Sequence, residues 1–152
     1  MQLRIQPVPY TDAVARDLVA AALADLSGRY GGEGDATPID DGDFTPPDGV
    51  FLVGWRDGVP VGCAGWRSHG DGVAELKRMF TMPAARGTGV ARRMLAAIET
   101  NARDAGRHTI ILETGGLQPE AISLYETSGY RRIANYGFYA DEPDCQSYGR
   151  TL

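Results

Sequence analysis

Two glycines between a strand-like run and a helical one constrain this chain more than any other feature. The stretch Arg86-Gly87-Thr88-Gly89-Val90-Ala91 follows an apolar run from Glu75 to Met82 and opens a periodic segment from Val90 to Ala105. In that segment Val90, Ala91, Met94, Leu95, Ile98 and Ala102 recur at helical spacing, with Arg92, Arg93, Glu99 and Arg103 facing away. A strand, a glycine turn and a helix in this order make a ready anion site. The first N–H groups of a helix lack intrahelical partners, and the aligned peptide dipoles make that end positive. Gly87 and Gly89 permit a sharp turn and a close ligand approach, and Arg86 adds a guanidinium suited to phosphate. The phosphate loop of NTPases is not matched, because Val90 stands where its lysine would be. The dinucleotide fingerprint lacks its third glycine, Arg92 taking that place. What remains is a diphosphate ligand held mainly by backbone.

At 152 residues the chain suits one domain, 1–152, with a substantial core. A net charge of -5 argues against a nucleic-acid phosphate backbone as partner. No run is long and apolar enough for a membrane span, and the start shows no signal-peptide pattern. Cys63 and Cys145 read as reduced cytoplasmic thiols, and His69 and His108 are too few for a metal cluster, so no metal is expected.

Leu3 and Ile5 alternate with polar neighbours as in an opening strand. Thr11 or Asp12 caps a predicted helix to about Leu26, with Ala15, Leu18, Val19, Ala22, Leu23 and Leu26 as its apolar stripe. Residues 28–49 read as a long acidic loop rich in Gly and Pro, either a binding loop or a solvated one. Val50–Trp55, the turn Asp57-Gly58, Val59–Arg67 and Val73–Met82 predict an antiparallel meander of three strands. His108–Glu113 is a short buried strand, parallel to the one before the glycine turn by the strand–helix–strand rule. A helix then runs from Gln118-Pro119 to Ser128, and an antiparallel pair spans Tyr130–Leu152 with a break near Pro143.

Glu75-Leu76-Lys77-Arg78-Met79-Phe80-Thr81-Met82-Pro83 followed by Arg86 to Ala91 resembles the acetyl-CoA motif of the GNAT superfamily of N-acetyltransferases. Gln118-Pro119-Glu120-Ala121-Ile122-Ser123-Leu124-Tyr125 closing on Gly129-Tyr130 is similar to that family's Asn-x-x-Ala-x-x-x-Tyr helix, with Gln118 in place of asparagine. The resemblance covers about Val73 to Tyr130. It implies a mixed α/β fold: a mostly antiparallel sheet, a splayed parallel strand pair, and helices on both faces. It also implies an enzyme that moves the acetyl group of acetyl-CoA to the primary amine of a small molecule in a ternary complex. A protein or peptide acceptor, and a non-catalytic acyl-CoA-binding domain, are the alternatives. Nucleotide binding is a third class, distinguishable by which ligand stabilises the protein. Oligomeric state stays open, a homodimer included.

The resemblance places pantetheine contacts at Phe80, Thr81 and Met82, with a backbone N–H of that stretch polarising the carbonyl. It places the diphosphate on Arg86, Gly87, Thr88, Gly89, Val90 and Ala91, and adds Gln118 and Ser123 to the cofactor side. Tyr125 occupies the tyrosine position whose phenol protonates the leaving thiolate. Glu75 is either a base for the amine or a structural carboxylate paired with Lys77 or Arg78. Alternation puts Val73, Glu75, Lys77, Met79 and Thr81 on one face. Asp35, Asp40, Asp41, Asp43, Asp48, Asp141, Glu142 and Asp144 either draw a cationic amine or form a solvated acidic surface, with Tyr136, Phe138 and Tyr139 beside the acceptor. Trp55, Trp66 and Cys63 read as packing residues.

Overall fold

Strand-forming runs separated by turn residues pair with their sequence neighbours. In the computed structural model, which describes residues 2–152, Leu3–Pro7 (β1), Gly49–Arg56 (β2), Val59–Ser68 (β3) and Val73–Thr81 (β4) pair antiparallel in succession. Asp57 and Gly58 both hold positive φ, 54° and 77°, as a tight hairpin turn between twisted strands requires. Thr109–Gly115 (β5) lies parallel to β4. Cys145–Thr151 (β7) pairs with both β5 and Arg131–Ile133 (β6). The seven-stranded order is β1-β2-β3-β4-β5-β7-β6, antiparallel except at β4/β5.

The helix Val90–Asp104 (α2) lays Val90, Met94, Leu95, Ile98 and Ala102 on one sheet face, joined there by Tyr125 of the helix Pro119–Thr127 (α3). The helix Ala13–Tyr30 (α1) covers the other face with Ala15, Leu18 and Ala22, packed on Phe51, Val53, Cys63 and Phe80. Helices therefore cover both faces. Asp12, not Thr11, caps α1, accepting the Val14 N–H at 3.2 Å. The helix continues past Leu26 and through Gly28, which sequence composition had assigned to the loop. Tertiary contacts hold this last turn: Arg29 pairs with Asp25 and Glu120, and the Tyr30 phenol accepts the Leu117 N–H at 3.1 Å. Trp66 is fully buried on the α2 side and its indole N–H donates to Asn101, whereas Trp55 packs on the α1 side.

Two irregularities in β4 shape everything that follows. Gly65 faces Lys77 while Cys63 faces Phe80, so Arg78 and Met79 together oppose Ala64. Arg78 takes φ 59°, a left-handed conformation that a side chain rarely adopts. This bulge inserts one residue and inverts the alternation. Met79 consequently packs on the α2 side, while Phe80 and Met82 pack on the α1 side, so the single face expected for Val73 through Thr81 is broken in its middle. The second irregularity is the short parallel ladder. It joins Val73 to Thr109, Ala74 to Ile110 and Glu75 to Ile111, and then stops, although both strands continue.

Candidate active site

Where the β4–β5 ladder stops, the strands diverge around a cavity of about 430 Å³. Leu76 to Phe80 of β4 form one wall, Leu112 to Gly115 of β5 the other, and α1 and Tyr125 line it from opposite sides of the sheet. Tyr125 is 5% exposed, and its hydroxyl has no hydrogen-bond partner among the described residues. Burial pushes its phenol well above the ordinary tyrosine range, so it stays protonated at neutral pH.

The strand walling the cavity runs on through a short 3₁₀ turn, Pro83–Ala85, into the glycine turn. Gly87 and Gly89 hold φ 75° and 86°, and a Cβ at either would meet nothing within 4 Å. The N–H groups of Gly87, Thr88 and Gly89 find no protein acceptor among the described residues, and the first backbone bond into α2 is Arg93 to Gly89 at 3.2 Å. The cradle is therefore open, positive by its dipole and lined by free donors, which fits a diphosphate. Arg86 is turned back toward the sheet, donating to the Thr81 carbonyl at 3.1 Å and meeting Asp25 at 3.4 Å. Arg56, not foreseen from sequence, donates to the Thr88 hydroxyl at 2.9 Å. Its position on β2, far off in sequence, gave no local signal of this contact.

The family model for the acetyltransferase (GNAT) family matches residues 16–130. The chain belongs to the GNAT family. Among curated GNAT relatives, an IAA acetyltransferase of Azospirillum brasilense is 42% identical over 64% of this chain, which spans 64% of that relative's length. A Klebsiella pneumoniae structure assigned as an acyl-CoA N-acyltransferase superposes with a TM-score of 0.83 at 29% identity, covering 99% of this chain and 98% of that one. A GNAT acetyltransferase of Elizabethkingia anophelis, determined with acetyl-CoA bound, shares the fold at a TM-score of 0.72 and 16% identity, over 99% and 98% of the two chains.

The GNAT site residues foreseen from sequence fall into two groups. Phe80, Gln118 and Tyr125 line the cavity. Met82 spends its N–H on the Val61 carbonyl at 2.8 Å, the Thr81 carbonyl is held by Arg86, and Ser123 is exposed on α3. Glu75 is buried but does not line the cavity. Its two oxygens accept from Arg67 Nε at 2.9 Å and the Tyr136 phenol at 2.6 Å. Those partners fit a structural carboxylate, but they replace Lys77 and Arg78, which turn to Asp35 instead.

Of the acidic side chains foreseen beside the acceptor, Asp35, Glu142 and Asp144 reach the cavity, which Asp25 of α1 also lines. Asp41, Asp43 and Asp48 pair with Arg16, Arg67 and Arg107 on the surface or at its edge. Tyr139 lines the cavity and Phe138 points into solvent. Glu113 also lines it, and its one clue in the sequence was a carboxylate following the buried Ile110, Ile111 and Leu112. Cys63 donates to the Arg78 carbonyl at 3.3 Å inside the bulge, and burial pushes its thiol up to about 12. Among the described residues no group of His, Cys, Asp and Glu is placed to hold a metal, and no helix is long and apolar enough to cross a membrane.

Proposed function

We propose that this chain, as one acetyltransferase domain over residues 1–152, transfers the acetyl group of acetyl-CoA to the primary amine of a small molecule. One observation carries the reading. The cavity opened by the lost β4–β5 pairing contains the unbonded Tyr125 hydroxyl, and its β4 wall leads directly into the open glycine turn. Acetyl-CoA, when bound, supplies an acyl group activated as a thioester. The residues Arg86 to Ala91 hold its diphosphate through backbone N–H groups, and the β4 edge past Glu75, freed of its neighbour strand, offers unpaired backbone to the pantetheine arm. Tyr125 holds the proton that a departing thiolate requires. The bulge at Arg78-Met79 leaves a residue outside the ladder, and we assign to it the N–H that polarises the carbonyl, since Met82's is already bonded. The cavity volume suits a small acceptor, and Glu142 and Asp144 at the exposed side favour the approach of a cation.

Thiol release from acetyl-CoA, measured across a panel of amines and peptides, tests this. Amine-dependent release is expected. Tight CoA binding with no release from any acceptor would replace the reading with a non-catalytic acyl-CoA-binding role.

A further inference from the structure

The cavity walls carry charges that the protein itself leaves unmatched. Lys77 and Arg78, with side chains 6% and 8% exposed, share a single carboxylate: Asp35 lies 3.7 Å from Lys77 and 2.7 Å from Arg78. The other partner of Lys77 is the neutral Thr37 hydroxyl at 3.2 Å. Arg78 Nε is buried without any partner among the described residues. Two buried cations against one anion leave a surplus positive charge, which burial makes costly unless something anionic joins it. Asp35 is not free to do more, because its remaining oxygen accepts from Thr37 and from the Tyr139 phenol.

On the facing strand the mismatch has the opposite sign. Glu113 Oε2 accepts the Tyr139 N–H at 3.1 Å, while Oε1 is buried with no donor among the described residues. A Cβ at Gly137 would collide with this carboxylate, so the glycine is what leaves room for it. Lys77 and Arg78 line the cavity from one wall and Glu113 from the other, yet Glu113 pairs with neither Lys77 nor Arg78. Charges of opposite sign on facing walls, neither matched by the other, are both stabilised by a ligand that brings an anion to one wall and a cation to the other.

We infer that the acceptor is a small zwitterion, an amino acid. Its carboxylate meets the Arg78 guanidinium and Lys77 on one wall, and its amine meets the Glu113 carboxylate on the other. The inference rests on the acetyl-transfer reading only for the fate of that amine. The missing anion is not the coenzyme's diphosphate, whose cradle lies beyond Thr81 on the far side of the 3₁₀ turn.

The test is calorimetry on the full chain with CoA present, titrating common amino acids, each beside its amide and its decarboxylated amine. Thiol release from acetyl-CoA is then measured with the same compounds. At least one amino acid should bind about tenfold or more tighter than both its amide and its amine. Arg78→Gln should erase the preference for acid over amide, and Glu113→Gln should weaken amino acid and amide alike by about tenfold. The ligand series on the unaltered chain decides the matter even where a variant fails to fold. Amines without a carboxylate that bind and react as well as their parent acids would overturn the inference and leave acetyl transfer standing. Amino-acid binding of the expected pattern with no thiol release would uphold the zwitterion site and remove acetyl transfer. Absence of amino-acid binding overturns the inference in every case.

Discussion

Replacing Tyr125 with phenylalanine removes one oxygen from the cavity and nothing else. The magnitude follows from the environment of that oxygen. It makes no hydrogen bond to the described residues, and its ring packs in the α2-side cluster, 5.7 Å from the ring of Tyr130. A hydroxyl that has no protein partner and opens onto the cavity contributes little net stability, so the variant should unfold within about 1 kcal/mol of the parent, or be slightly more stable. Its packing is unchanged, so CoA affinity should hold. A positioned proton donor contributes about 10²–10⁴ in rate. Turnover should therefore fall at least about a hundredfold, an increase of about 2.7 kcal/mol in the barrier. The assay is thiol release at saturating acetyl-CoA, with urea unfolding and CoA calorimetry on the same preparation. Unchanged turnover would refute the assignment of the phenol as proton donor. A parallel loss of stability or CoA affinity would show the hydroxyl to be structural, because the chemistry alone predicts neither.

Other consequences are as direct. Gly89→Ala places a side chain at φ 86°. It should cost about 1 kcal/mol in urea unfolding and weaken CoA by about tenfold in calorimetry, and intact CoA affinity would move the diphosphate elsewhere. Glu75→Gln breaks a buried pair with Arg67 and should destabilise by about 3 kcal/mol while leaving the midpoints of the pH–rate profile in place. A displaced profile would assign Glu75 as the base. Asp35 is buried, which alone would raise its pKa, but Lys77, the Thr37 bonds and Arg78 bring it down from 3.8 to about 2. Its folded pKa is depressed, so the stabilisation is complete above about pH 4 and is lost as the pH falls toward 2. About 2 kcal/mol should disappear across that window in urea unfolding, and Asp35→Asn should show no such step.

Local chemistry accounts for what the sequence disclosed. Turn glycines, a capping aspartate and two clean periodicities located the strands, the helices and the glycine turn, because each depends on residues within a few positions of one another. Composition ends α1 too early because Gly28 is a poor helix residue, whereas the turn is held by Arg29 and Tyr30 reaching segments some 90 positions away. The bulge was illegible for a related reason. Nothing about Arg78 announces a left-handed residue, and its conformation answers to the pairing of β3 with β4 and to the salt bridge with Asp35. The partners of Glu75 likewise come from β3 and from the segment after β6. Lys77, Arg78 and Glu113 were visible as charges within apolar strands, but which charge met which required the fold.

The sheet is in effect two leaves on a short spine. Four strands form one leaf and three the other, and among the described residues only the rungs from Val73, Ala74 and Glu75 to Thr109, Ile110 and Ile111 bind them edge to edge. Acetyl-CoA lodged between the leaves, as proposed, would act as mortar as well as cargo. It would supply the rungs that the backbone omits, so on that reading the resistance of this protein to being prised open is set in part by the molecule it works on.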